Sequence, residues 1–185
     1  MSFSDAAADN ILRLQVAVSG VLQAQEFNNP TNGIVSTVGT LAANTWSFCG
    51  VVFSSATSRT VYLNTEAVTD TTNVTAVAMD RLNVGALAGP ATFANGAIGE
   101  VAVWTIALTA SDMATLSRGV PALRVRGASL VPWGYWSLNG GASPEPDRGS
   151  AGNALTLQAA PPVSDFLPPL VSIAVDSRHR RGRRG

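Results

Sequence analysis

Hydrolysis of a glycosidic bond needs two carboxylates ~5–9.5 Å apart, so paired acids are the first chemistry to test for. Glu66 and Asp70 form one close pair, and Glu145 and Asp147 form another. The second pair lies in Ser-Pro-Glu-Pro-Asp-Arg-Gly, where two prolines favour a solvated turn over a catalytic strand. Glu100 is isolated in its segment. General acid–base work wants a positioned partner, so a structural hydrogen bond is the expectation for Glu100. There is one histidine, His179, and it falls in the last seven residues. That argues against Ser-His-Asp and Cys-His catalysis and against multi-histidine metal sites. A single cysteine, Cys49, forms no intrachain disulfide and no cysteine-based zinc cluster, and reads as a small buried hydrophobe. Neither G-x-x-x-x-G-K-[ST] nor G-x-G-x-x-G occurs, so no phosphate-cradling loop is expected. These absences together predict a protein that is not an enzyme.

The basic residues point elsewhere. All twelve are arginine, and five of them, Arg178, Arg180, Arg181, Arg183 and Arg184, fall in the last eight residues. Residues 1–177 carry seven arginines against twelve acids, a net of −5, and the tail carries +5. An acidic body with a basic tail is the pattern of an interaction segment. The five arginines are the candidate partner-binding residues, with a protein surface preferred over nucleic acid. Among the four tryptophans, Trp46, Trp104 and Trp136 sit in strand patterns and suit a core. Trp133, in Val131-Pro132-Trp133-Gly134, is the one placed to be exposed and to contact a glycan.

The elements that would hold these residues read as β-strands. The chain is 46% apolar and only 13% charged, which supplies a core and excludes disorder along its whole length. No apolar run approaches the ~20 residues of a membrane helix, so no membrane insertion is expected. The opening MSFSDAAADN is polar and lacks the basic start of a secretory signal. Gly and Pro divide the chain into short segments rich in Val, Thr and aromatics. Strands are predicted at Leu12–Val18, Val21–Glu26, Ile34–Val38, Thr45–Phe53, Arg59–Leu63, Arg81–Val84, Gly96–Trp104, Tyr135–Leu138 and Ala154–Leu157. Trp46–Phe53 is apolar on both faces, so it and Ile98–Trp104 are expected to be internal. One short helix is predicted near Ala110–Leu116. Thr109 opens it as a cap over Asp112, and Gly119 and Pro121 close it.

From Trp46 to about Pro162 the order of landmarks resembles the laminin-G-like, concanavalin A-like jelly-roll superfamily. Ser58-Arg59-Thr60-Val61-Tyr62-Leu63-Asn64 resembles the family hairpin "r-v-Y-l-N-G", with Thr65 in place of the glycine. Leu82-Asn83-Val84-Gly85 resembles its "l-x-i-G" strand, and Phe93 to Trp104 its "f-x-G-x-i-x-e-v-x-i-w" segment. Leu130 to Leu138 and Asp147-Arg148-Gly149 resemble the closing segment.

The resemblance implies an all-β, two-sheet antiparallel jelly-roll sandwich with one short helix, over residues 1–163. A proline linker and the arginine tail follow over 164–185. By this reading the usual first strands are missing, which would leave Leu12–Glu26 as an open edge for another chain to cover. The family's calcium sites make Asp70, Asp80 and Asp147 the candidate ligands. Without a dense D-x-D-x-D run, however, no cofactor is expected. The functional expectation is a non-enzymatic virion structural protein of the tailed-bacteriophage kind: a capsid decoration, head fibre or tail appendage. It would be made in the host cytoplasm and contact other virion proteins or copies of itself. The alternative is a carbohydrate-binding, lectin-like module for cell-surface glycans.

Overall fold

The computed structural model describes residues 1–5, 10–28, 31–74, 80–86, 94, 96–126, 129–139 and 143–156. Ten strands, one α-helix and one short 3-10 helix (Ala122–Arg124) lie among them. The strands are β1 (Ser2–Ser4), β2 (Asn10–Val16), β3 (Val21–Asn28), β4 (Thr31–Thr40), β5 (Cys49–Ser55), β6 (Ser58–Leu63), β7 (Glu66–Asp70), β8 (Arg81–Asn83), β9 (Val101–Val103) and β10 (Gly134–Trp136). The helix α1 is Ala110–Ser117. One sheet runs β4-β3-β2-β1-β8 and a second runs β5-β6-β7, while β9 and β10 pair with each other. Every pairing is antiparallel.

Alternation builds the core. Successive strand residues point to opposite faces, so Leu22 and Ala24 of β3 share a face, as do Val61 and Leu63 of β6. These four pack with Val35 of β4 into one buried cluster, joined by Leu14, Leu41, Cys49, Val51 and Val68. The cluster draws on both sheets, which makes the body a sandwich. Cys49 is half-buried against it, and burial pushes its thiol pKa up.

Two turns set the register. Gly20 (φ +81°) supplies the left-handed residue between β2 and β3, and its N–H donates to the Ala17 carbonyl at 2.8 Å. Asn64 (φ +54°) does so between β6 and β7. Its Oδ1 also accepts from the Phe48 N–H at 3.0 Å, which ties the turn to the entry of β5.

The helix forms as its sequence predicts. The Thr109 hydroxyl accepts from the Asp112 N–H, and the Asp112 carboxylate accepts from the Thr109 N–H at 2.8 Å. Arg126 then clamps Asp112 through Nε at 2.6 Å and through a second contact from Nη2. The hydrogen bond from Arg126 holds the Asp112 pKa down at about 2, below the ordinary 3.8. A depressed carboxylate pKa stabilises the fold above the ordinary pKa, and that stabilisation is lost as pH falls through the folded value. The stability gap between the wild type and Asp112→Asn should therefore be full at about pH 5 and shrink towards pH 2. Urea titrations at the two pH values check this, and a gap that is constant with pH contradicts it.

Four expectations need correction. The Leu12–Glu26 hairpin is no open edge: β1 pairs with β2 on one side and β4 with β3 on the other. Ser2–Ser4 is thus a first strand that the sequence reading missed. The stretch from Trp46 is strand only from Cys49. Its strand β5 is the outer one of its sheet among the described residues. Its second face is apolar because α1 covers it: a Cβ on Gly50 would lie 2.5 Å from Met113 Cε. Ile98–Trp104 is strand only at Val101–Val103, paired with β10 alone among the described residues, and Trp104 is half-buried. Glu100 breaks the extended run with φ +51°. The boundary expected near residue 163 lies outside the described residues. No helix among those residues is long and apolar enough to cross a membrane.

Candidate functional site

Two clusters of polar side chains stand out, one inside the sandwich and one on the outer face of its larger sheet. Inside, Arg59 of β6 is wholly buried. Its Nη2 meets Glu26 Oε2 of β3 at 2.9 Å and its Nε meets the same oxygen at 3.1 Å. Nη1 contacts Asp70 of β7, and Nη2 also donates to the carbonyls of Thr72 (2.9 Å) and Ala56 (3.2 Å). Gly33 of β4 leaves room for the guanidinium, since a Cβ there would lie 2.5 Å from Nη1. The two carboxylates are turned onto the arginine, so this cluster ties the sheets together and offers no reacting group.

The outer face follows from the register. Ser2 pairs with Arg13 and Asn83, Arg13 with Gln25, and Gln25 with Ile34. The next row is Arg81, Ser4, Ile11, Phe27 and Asn32, and Gln15 faces Gln23 beyond. These rows lie on the side opposite the core residues Leu14, Ala24 and Val35. None of the residues named on the face is Asp or Glu. Ser2 and Ser4 are short side chains between longer ones on β2 and β8, and both are buried. Gln25 is also buried. Its amide nitrogen donates to Asn32 Oδ1 at 2.8 Å, and Gln15 donates to Gln23 Oε1 at 3.2 Å. Four buried polar atoms on this face have no hydrogen-bond partner: Ser2 Oγ, Ser4 Oγ, Arg13 Nε and Gln25 Oε1. A buried polar atom left unsatisfied costs about 1–3 kcal/mol, so these four call for partners that the described protein groups do not supply. The rim is accessible: Asn32, Ile34 and Arg81 are exposed.

The residues singled out from sequence fall elsewhere. Arg178, Arg180, Arg181, Arg183 and Arg184 lie outside the described residues. Trp133 is half-buried before β10, with its carbonyl accepting from the Ala151 N–H at 2.8 Å. It is not on the polar face. The candidate calcium ligands are each engaged separately. Asp70 holds Arg59 and the Thr72 hydroxyl, and Asp80 is exposed beside Arg81 at 3.6 Å. Asp147 accepts the N–H groups of Tyr135, Gly149 and Asn153 at 2.7–2.8 Å. Burial alone would raise the Asp147 pKa, but these N–H groups outweigh it and hold the carboxyl below its ordinary value. Among the described residues no group of three or more His, Cys, Asp or Glu is arranged to hold a metal.

The turn at Glu145 also differs from expectation. Glu145 is buried, because its backbone bridges to Leu155 and its carboxylate accepts from Ser137 Oγ and the Leu138 N–H, both at 3.1 Å. Glu100 hydrogen-bonds Tyr135. Burial, with the charge and hydrogen bond of Glu100, pushes the Tyr135 pKa up to about 12.

Comparison with known proteins agrees with this architecture. No curated protein matches the chain. A solved structure, that of an S-layer domain-containing protein (residues 221-444) from Clostridium thermocellum ATCC 27405, is similar at 18% identity and a TM-score of 0.32. The match covers 63% of this chain and 61% of that one, and it carries no argument about fold or function. The family match is broader. Residues 1–114, which include β1 through β9 and the first turn of α1, fit the profile of one superfamily. The chain belongs to the concanavalin A-like lectin/glucanases superfamily.

Proposed function

We propose that the chain is a non-catalytic binding domain that holds an oligosaccharide on the outer face of β1–β4. The observation that carries this reading is the set of four unpaired buried polar atoms, Ser2 Oγ, Ser4 Oγ, Arg13 Nε and Gln25 Oε1. Sugar hydroxyls both donate and accept, which is what a mixture of hydroxyl, guanidinium and amide groups requires. Phe27 and Ile11, half-buried in the same rows, offer apolar surface beside them. The described residues named on the face include no acid and base of a glycosidase, which supports a glycan held and not cleaved.

Carriage on a virion or other assembly is a separate expectation. The edge that argued for it is paired on both sides, and the arginine tail lies outside the described residues. The polar face therefore carries the proposal.

Calorimetric titration of the full chain against a panel of oligosaccharides tests it. Binding is expected, with no release of reducing ends on long incubation. Gln25→Ala should weaken binding by about tenfold, the scale of one hydrogen bond to a polar ligand. Circular dichroism checks that the variant is folded. No binding across the panel, or turnover of any member, contradicts the proposal.

A further inference from the structure

We propose that the polar face selects an acidic sugar, whose carboxylate docks on Arg13. This rests on the glycan-binding reading above and narrows it to a ligand class. Arg13 sits on the middle strand of the five-stranded sheet, between Ser2 of β1 and Gln25 of β3. Its side chain is half-buried, and its Nε is buried without a partner. Among the described residues, other arginine ion pairs are made elsewhere: the buried Arg59 with Glu26 and Asp70, and the exposed Arg126 with the buried Asp112. Arg13 makes none there. Burial correspondingly lowers its pKa, with no carboxylate to restore it.

A cation taken partly out of water is costly unless paired, so the missing partner has a sign. It is an anion, and a planar carboxylate suits a guanidinium. The neighbours refine the chemistry. The Ser2 and Ser4 hydroxyls can donate to an oxygen-rich group. Gln25 has spent its amide nitrogen on Asn32, which leaves Oε1 as an acceptor in search of a donor. A ligand that satisfies the row must carry both a carboxylate and hydroxyl donors. Free carboxylate anions such as acetate lack the hydroxyls, and neutral sugars lack the charge. A uronic acid residue within a glycan has both.

The test compares short oligomers of galacturonic, glucuronic and mannuronic acid with their methyl esters, which remove the charge and keep the hydroxyls. At least one acid is expected to bind about tenfold or more tightly than its ester, the range of a charge-assisted hydrogen bond. That preference should narrow as salt rises. Arg13→Gln should bring acid and ester within about twofold of each other. Arg13→Lys should keep part of the preference. If acids and esters bind wild type equally, the acidic-sugar assignment is wrong and the glycan reading stands. If no member of either set binds, the acidic-sugar assignment is wrong, and the wider oligosaccharide panel decides the glycan reading. A preference that survives in Arg13→Gln, or displacement of the oligomer by equimolar acetate, also overturns the assignment.

Discussion

Replacing Arg59 with methionine is expected to lower the free energy of unfolding by about 3–5 kcal/mol, the cost of stripping one partner from a buried ion pair. The guanidinium is wholly buried and joins three elements of both sheets: Glu26 on β3, Asp70 on β7 and its own strand β6. Methionine fills a similar volume but takes from the Glu26 carboxylate, itself almost fully buried, the guanidinium it pairs with. It also takes a donor from the carbonyls of Thr72 and Ala56, the latter keeping the Val74 N–H at 2.9 Å. Adding Glu26→Gln should recover part of the loss, because the stranded charge is what costs most. Guanidinium denaturation of the two single variants and the double variant measures this. A single-variant loss under about 1 kcal/mol would show that the cluster is not a determinant of stability.

Trp136→Ala should cost about 3–5 kcal/mol, as emptying a large core site does. The ring is fully buried on β10, and its indole N–H donates to the Asn153 carbonyl at 2.8 Å. Gly134 lies against it so closely that a Cβ would fall 2.3 Å from ring carbon Cη2. The same ring therefore fills the core and holds the 145–155 loop. Sequence patterning directs the same substitution at Trp104, but Trp104 is half-buried and its removal should cost less. Thermal melting of both variants checks the order, and a Trp104→Ala loss equal to or above that of Trp136→Ala contradicts it.

How much of this was legible in the sequence depends on what holds each element. The β2–β3 hairpin and β6 announce themselves by alternation, and the cap of α1 by Thr109 and Asp112, because there local pattern and tertiary packing agree. Ser2–Ser4 shows no such pattern. It is a strand because β2 and β8 pair with it on both sides, and no propensity reports that. The reverse holds at Ile98–Gly99-Glu100, where continuity with the apolar run Val101–Trp104 favours strand. There Glu100 adopts φ +51°, with its N–H donating to the Ser137 carbonyl at 3.2 Å. Glu145 reads as solvated because prolines flank it, while its burial depends on a bridge to Leu155 that is distant in sequence.

The polar face lay between these cases. Leu12-Arg13-Leu14-Gln15 and Leu22-Gln23-Ala24-Gln25 alternate cleanly, so the placement of Arg13, Gln15, Gln23 and Gln25 on one side could be read. What the sequence could not supply was their burial and missing partners, which need β1 and β4 in place. A search for titratable groups passes over serine and glutamine.

The central claim is that a glycan is held on the outer face of β1–β4. Backbone amide chemical shifts of the isotopically labelled full chain, titrated with an oligosaccharide that binds, test it most directly. The largest shifts are predicted at Ser2, Ser4, Arg13, Gln15, Gln23, Gln25 and Asn32, with β5–β7 and the β9–β10 pair nearly unmoved. Shifts centred on Trp133 and the 145–155 loop, with Arg13 and Gln25 unchanged, would contradict it.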